Sequence, residues 1–176
     1  MMTPRLRPHA LLGICFLMVS PAIAQQFDPA QVEAGMTVYK PAVANCEPCH
    51  GYGGNGALAL DEYGGRGTAF GPPLTTSTMT RAEMVEAVSC GLRNDWLTMP
   101  QYLQKAWTPE RPCGGKVRAD MKPEESPLLA GRPLTEAQIE AVVTFVQAFY
   151  QGGTMNREKC VRYWGDRSTA CNIFAQ

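Results

Sequence analysis

The chain has 176 residues, with 16 Lys and Arg against 16 Asp and Glu and a hydrophobic share of 45%. A formal charge of zero lacks the basic excess that nucleic-acid binding requires, and the length suits one domain with a modest core. Seven cysteines and only two histidines carry most of the readable chemistry.

Residues 1–24 read as a secretory signal: Arg5 and Arg7 precede an apolar stretch from Ala10 to Val19, and Ala22-Ile23-Ala24 is a cleavage site of the Ala-x-Ala kind. The apolar run is too short to span a bilayer. Ile14 stands where lipidation of Cys15 would want a small residue, so a lipid anchor is not expected. Cleavage leaves 152 residues, with 14 basic and 16 acidic side chains and a formal charge of −2. No later segment has the unbroken apolar length of a membrane helix, which predicts a periplasmic product without an integral membrane segment. Cleavage also removes His9, so His50 becomes the one histidine of the mature chain.

A first helix is expected near Asp28, with the aspartate as cap, Pro29 at the first helical position and Gln31 completing a capping box. Phe27 and Val32 have staple spacing, and Gly35, Met36 and Tyr39 continue one face. Gly35 is small enough to admit another helix, and Pro41 ends the regular part.

Next comes Cys46-Glu47-Pro48-Cys49-His50, followed by Gly51. Two thiols two residues apart with a histidine directly after form the attachment signature of a c-type haem. The cysteines add to the porphyrin vinyl groups as thioethers, and the adjacent imidazole is held beneath the ring as an iron ligand. A zinc site would want a second ligand pair, yet the other mature cysteines are scattered singly. A thioredoxin-like pair would want a preceding strand, and this approach reads helical. With one motif and one histidine, a second haem and bis-histidine ligation within the chain are excluded. The sixth ligand is then methionine, a less usual side chain, or nothing.

Residues 51–73 read as a loop with eight glycines. Within it, Gly71-Pro72-Pro73-Leu74 fixes an extended backbone whose carbonyls are free to orient the His50 ring N–H. A second helix follows the capping box Thr80-Arg81-Ala82-Glu83, with Met79 and Met84 as staple and Met84, Val85 and Val88 as buried stripe. It ends at Cys90-Gly91. Met99, followed by Pro100, is read as lying in a loop. A third helix follows Thr135, with Gln138 completing the box; Ile139, Val142, Val143, Val146, Phe149 and Tyr150 recur at helical spacing. No run alternates as a strand would, so the expected class is all-α.

Residues 101–133, rich in proline, glycine and charge, read as an insertion, and residues 154–176 as a tail whose aromatic residues make a small satellite core. Cys90, Cys113, Cys160 and Cys171 form an even set for an oxidising compartment, so two disulfides are expected. Sequence alone does not choose among the three pairings; Cys90 with Cys113 and Cys160 with Cys171 would each close a short loop, stabilising by roughly 3 kcal/mol apiece in the loop-closure model.

From Gln25 to about Gly153 these features resemble, in the same order, the class I (monohaem) cytochrome c family. The resemblance rests on the first helix, the Cys46–Gly51 motif, Gly71-Pro72-x-Leu74, the middle helix, Met99-Pro100 and the last helix. It implies an all-α, cytochrome c-like fold of about three core helices around one covalently attached haem, with the domain at 25–153 and a C-terminal extension at 154–176. It further implies that Cys46, Cys49 and His50 hold the haem, that His50 and Met99 ligate iron, and that the Pro72 carbonyl accepts from His50. The first and last helices would cross, with Gly35 and Tyr39 near Phe145 and Phe149. The insertion after Met99 and the cysteine-bearing tail depart from the family's pattern. Of the other methionines, Met121 is Met99's main competitor, since Met36, Met79 and Met84 sit at core or staple positions.

The implied function is a periplasmic electron carrier between redox protein partners, not an enzyme. The alternative is an electron-accepting subunit of a periplasmic dehydrogenase or oxidase, with Trp96, Trp107 and Trp164 as candidate docking anchors. A third reading, a haem enzyme or gas sensor with an open iron, lacks a second histidine for acid–base work.

Overall fold

A computed structural model describes residues 27–60, 66–68, 71–93, 98–153, 155–165 and 169–174. The predicted signal at 1–24 and Trp96 lie outside the described residues. The local helix signals are met by real caps. Helix α1 spans Pro29–Tyr39, where the Asp28 carboxylate accepts from the Ala30 N–H; Gln31 takes no part in the cap and instead accepts from Thr144 at 3.4 Å. A single turn, α2, covers Glu47–His50. Helix α3 (Arg81–Cys90) and helix α4 (Glu136–Phe149) each open with a complete capping box, Thr80 with Glu83 and Thr135 with Gln138. Each box satisfies backbone N–H groups that the first turn leaves without partners. In the tail, α5 spans Arg157–Trp164 with Asn156 as cap, and a 3-10 turn follows at Thr169–Phe174.

The expectation of an all-α, cytochrome c-like fold is overturned. Three two-stranded ladders stand beside the helices among the described residues, so the class is mixed α/β. Strands β1 (Ala57–Leu60) and β2 (Arg66–Thr68) pair antiparallel inside the segment read as loop. Strands β3 (Leu92–Arg93) and β4 (Thr98–Met99) pair antiparallel, setting Leu92 opposite Met99. Met99 is therefore in a short strand, not a loop. Strand β5 (Gln101–Leu103) pairs parallel with β6 (Leu129–Leu134), so the insertion leaves and re-enters the same ladder. The physical reason is length: two to six residues with irregular register present no sustained period-two pattern.

The core is built on the crossing of α1 and α4. A Cβ at Gly35 would lie 1.9 Å from the Ala141 carbonyl oxygen and 2.7 Å from the Phe145 Cβ, so the helices meet backbone to backbone there. Around this contact Tyr39, Phe145, Phe149, Tyr150 and Tyr163 form a continuous aromatic group, with ring centroids of Tyr39 and Phe145 5.4 Å apart. The tail is thus no satellite: Tyr163 is 1% exposed and belongs to the main core. The disulfides are Cys90–Cys113 and Cys160–Cys171, with Cα–Cα distances of 5.9 and 5.4 Å. Such bonds persist in oxidising compartments. Among the described residues no helix is long and apolar enough to cross a membrane.

Candidate haem-binding site

The motif loop is clamped from three directions. The Tyr39 hydroxyl donates to the Gly51 carbonyl (3.3 Å), the Tyr102 hydroxyl to Ala44 (2.9 Å), and the Arg132 guanidinium to Ala42 (2.5 Å) and Pro41 (3.2 Å). These partners come from α1, β5 and β6, so distant parts of the chain converge on residues 41–51. None of the clamps has a sequence signal, because each depends on tertiary placement.

Within the motif, His50 Nδ1 lies 3.0 Å from the Pro72 carbonyl oxygen. A carbonyl only accepts, so Nδ1 carries the proton and the Nε2 lone pair is left for a metal. Burial pushes the imidazole below its ordinary value, opposed by that bond to Pro72, which favours the neutral ligand form. The approach requires glycine at 71: its N–H donates to Cys49 (2.8 Å), and a Cβ would sit 2.8 Å from the Cys49 carbonyl oxygen and 3.0 Å from the His50 ring.

Cys46, Cys49 and His50 open onto a cavity of about 460 Å³. Pro72 and Leu74 line one side, Met84 and Val88 of α3 another, and Val142, Val143 and Val146 of α4 a third. Leu92 and Met99 complete the wall at the paired strands. The cavity brings together every residue that sequence assigned to the site. It does not include Met121, the expected competitor of Met99, which lines a separate cleft. The other methionines in the wall are Met79 and Met84, which sequence read as staple residues.

The donor set fits a haem c in the state and setting of its two cysteines. Cys46 and Cys49 are free thiols, whereas the four other described cysteines are bonded in pairs. Burial pushes the Cys46 thiol up to about 12, with Cys49 and Glu47 adding to the effect, so it rests as the neutral thiol. Both thiols face an apolar volume within the range of cofactor sites, with one imidazole and the thioethers of Met79, Met84 and Met99 in its wall. Among the described residues, the cluster of Glu86 with Cys90 and Cys113 also has metal-ligand chemistry, but it is already satisfied. Its sulfurs are bonded to each other, and the Glu86 carboxylate accepts from Arg111 (3.0 Å) and from the Gly114 N–H (2.9 Å).

Glu47 was unforeseen. It occupies an exposed-looking place in the motif, yet it is 7% exposed, covered by the tail, and its carboxylate accepts from the Tyr163 hydroxyl at 3.4 Å. Burial pushes its carboxyl from an ordinary 4.5 up to about 7, against the lowering pull of Tyr163 and Lys40. Because the folded value is raised, stability is complete below pH 4.5 and is lost as pH rises through about 7. Glu47→Gln is therefore expected to gain most over the parent at pH 8 and little at pH 4 in thermal unfolding; parallel pH profiles would contradict the assignment.

Of the candidate anchors, Trp107 donates its indole N–H to the Cys90 carbonyl at 2.7 Å, and Trp164 packs edge-on against Tyr52 and Tyr163. Both are half-buried parts of the local packing. A scan against protein-family models and searches of the curated proteins and the solved structures found no match to this chain.

Proposed function

We propose that this protein is a periplasmic, monohaem c-type electron carrier, with haem joined to Cys46 and Cys49 and iron held between His50 and Met99. The observation that carries the reading is the meeting of two free thiols, a carbonyl-anchored imidazole and a methionine around one apolar cavity. The motif order it shares with class I cytochromes c supports the same reading without requiring an all-helical fold.

When bound, the haem supplies one-electron exchange between ferric and ferrous iron. The chain's own residues do the rest. Pro72 holds His50 in one tautomer and one orientation, and the bond raises the basicity of the ligating nitrogen. Met99, as a thioether ligand, would favour the ferrous form, and Val142, Val143 and Val146 of α4 would keep water from a bound haem and disfavour extra charge on the oxidised centre. His50 and Met99, which both line the cavity, would be the side chains that hold the iron of a bound haem.

Met99→Ala is expected to abolish the weak near-infrared charge-transfer band that thioether ligation gives the oxidised protein. An unchanged band would move the assignment to Met79 or Met84, the other methionines of the cavity. Carbon monoxide binding by the reduced parent protein at neutral pH would instead favour an open-iron enzyme or sensor.

A further inference from the structure

Beside the haem-binding cavity lies a second cleft, of about 450 Å³, between β3 and the insertion. Arg93, Arg118 and Lys122 line it together with Leu128 and Leu129. These leucines are 65% and 48% exposed, and Leu92, which walls the first cavity, is 54% exposed. The strands explain the adjacency. Leu92 pairs with Met99, Gln101 pairs with Leu129, and the Arg93 guanidinium donates to the Ser126 carbonyl at 3.1 Å. Exposed leucines thus flank both sides of the Met99–Gln101 segment.

Among the described residues, none of the three cations pairs with a carboxylate. Arg118 donates to Gln101 and Ser126, both uncharged. The ion pairs among the described residues are Arg81–Glu140, Lys105–Glu136, Arg111–Glu86 and Arg162–Glu33, and none of them involves the cleft. Two nearby carboxylates are used locally: Asp120 accepts from the Val117 N–H and Glu125 from the Lys122 N–H. Together with Glu124 they make the rim mixed in sign, which opposes a uniformly anionic bilayer. A protein face, however, can set its carboxylates opposite the cations alone.

We infer that this cleft is the docking surface for a redox partner protein whose own face places carboxylates around an apolar centre. The inference rests on the electron-transfer reading and adds where the partner sits. An apolar patch with a charged rim suits a small, transient interface, in which charge steers the encounter and the leucines exclude water. Docking here sets the partner against the wall formed by Leu92 and Met99, beside the cavity rather than across the molecule from it.

The test uses the full secreted protein and charged inorganic probes. Hexacyanochromate(III), a paramagnetic trianion, is expected to broaden amide resonances of residues 92–93 and 118–129 selectively. Lys122→Glu and Arg93→Glu, separately and together, are expected to slow oxidation of the reduced protein by ferricyanide roughly tenfold or more at low ionic strength. The same variants should speed oxidation by the cationic tris(phenanthroline)cobalt(III). Broadening centred elsewhere, or equal rates for parent and variants, would overturn the inference, as would cosedimentation with phosphatidylglycerol vesicles through these residues. A chain that carries no haem would sink the electron-transfer reading, and the broadening map would still decide whether the cleft attracts anions.

Discussion

Serine at Cys46 or Cys49 is expected to yield protein without the doubly linked haem. A thioether needs sulfur, and a serine hydroxyl offers neither the nucleophilicity of a thiol nor its softness. The surroundings of the two thiols differ from those of the other described cysteines, which are already committed to disulfides. Intact-mass spectrometry under denaturing conditions reads the outcome directly. The parent should carry one covalent haem, the single variants a singly linked haem or none, and Cys46→Ser/Cys49→Ser none. Cys113→Ser serves as control, since it breaks the Cys90–Cys113 bond while leaving Cys46 and Cys49 in place, and should leave the adduct intact. A doubly linked adduct of normal mass in either single variant would refute the assignment on which the site is built.

The second large effect concerns packing. Gly35→Ala adds a methyl 1.9 Å from the Ala141 carbonyl oxygen and 2.6 Å from its carbon. Both are backbone atoms of α4, so no side-chain rotation relieves the clash and the helices must separate. Alanine improves helix propensity by about 1 kcal/mol over glycine. Overpacking costs about 1–3 kcal/mol where neighbours can shift, and more where they cannot. The clash wins, and a net loss of about 3 kcal/mol is expected, lowering Tm by roughly 10 °C in a protein of this size. Thermal unfolding by circular dichroism checks it; a Tm within a degree of the parent would mean that α1 and α4 do not touch at Gly35.

What was legible in sequence was local or short-range in its physics. Thr80 with Glu83 and Thr135 with Gln138 act across three residues, and each cap formed as spacing required. The meeting of His50 with Pro72 spans more chain, but paired prolines advertise a fixed backbone with an exposed carbonyl. The strands were illegible because β3 and β4 have two residues each, too few for a pattern, and because β5 and β6 lie at opposite ends of the segment read as an insertion. Glu47 was illegible for a different reason. Its burial is imposed by Tyr163, 116 residues later, and nothing within the motif announces that cover. Likewise Met79 and Met84 look like ordinary staple residues until α3 is placed against the cavity.

The contact between α1 and α4 joins segments about a hundred residues apart, and this orders events in time. Non-local pairing is slow, because a long loop must close before any contact offsets its entropy. The valine wall behind the thiols belongs to α4, so it cannot assemble until the chain is complete as far as residue 146. Cys46 and Cys49 emerge long before that wall. Between the two moments the motif is an open segment of chain, and only the completion of α4 sets an apolar wall behind its two thiols.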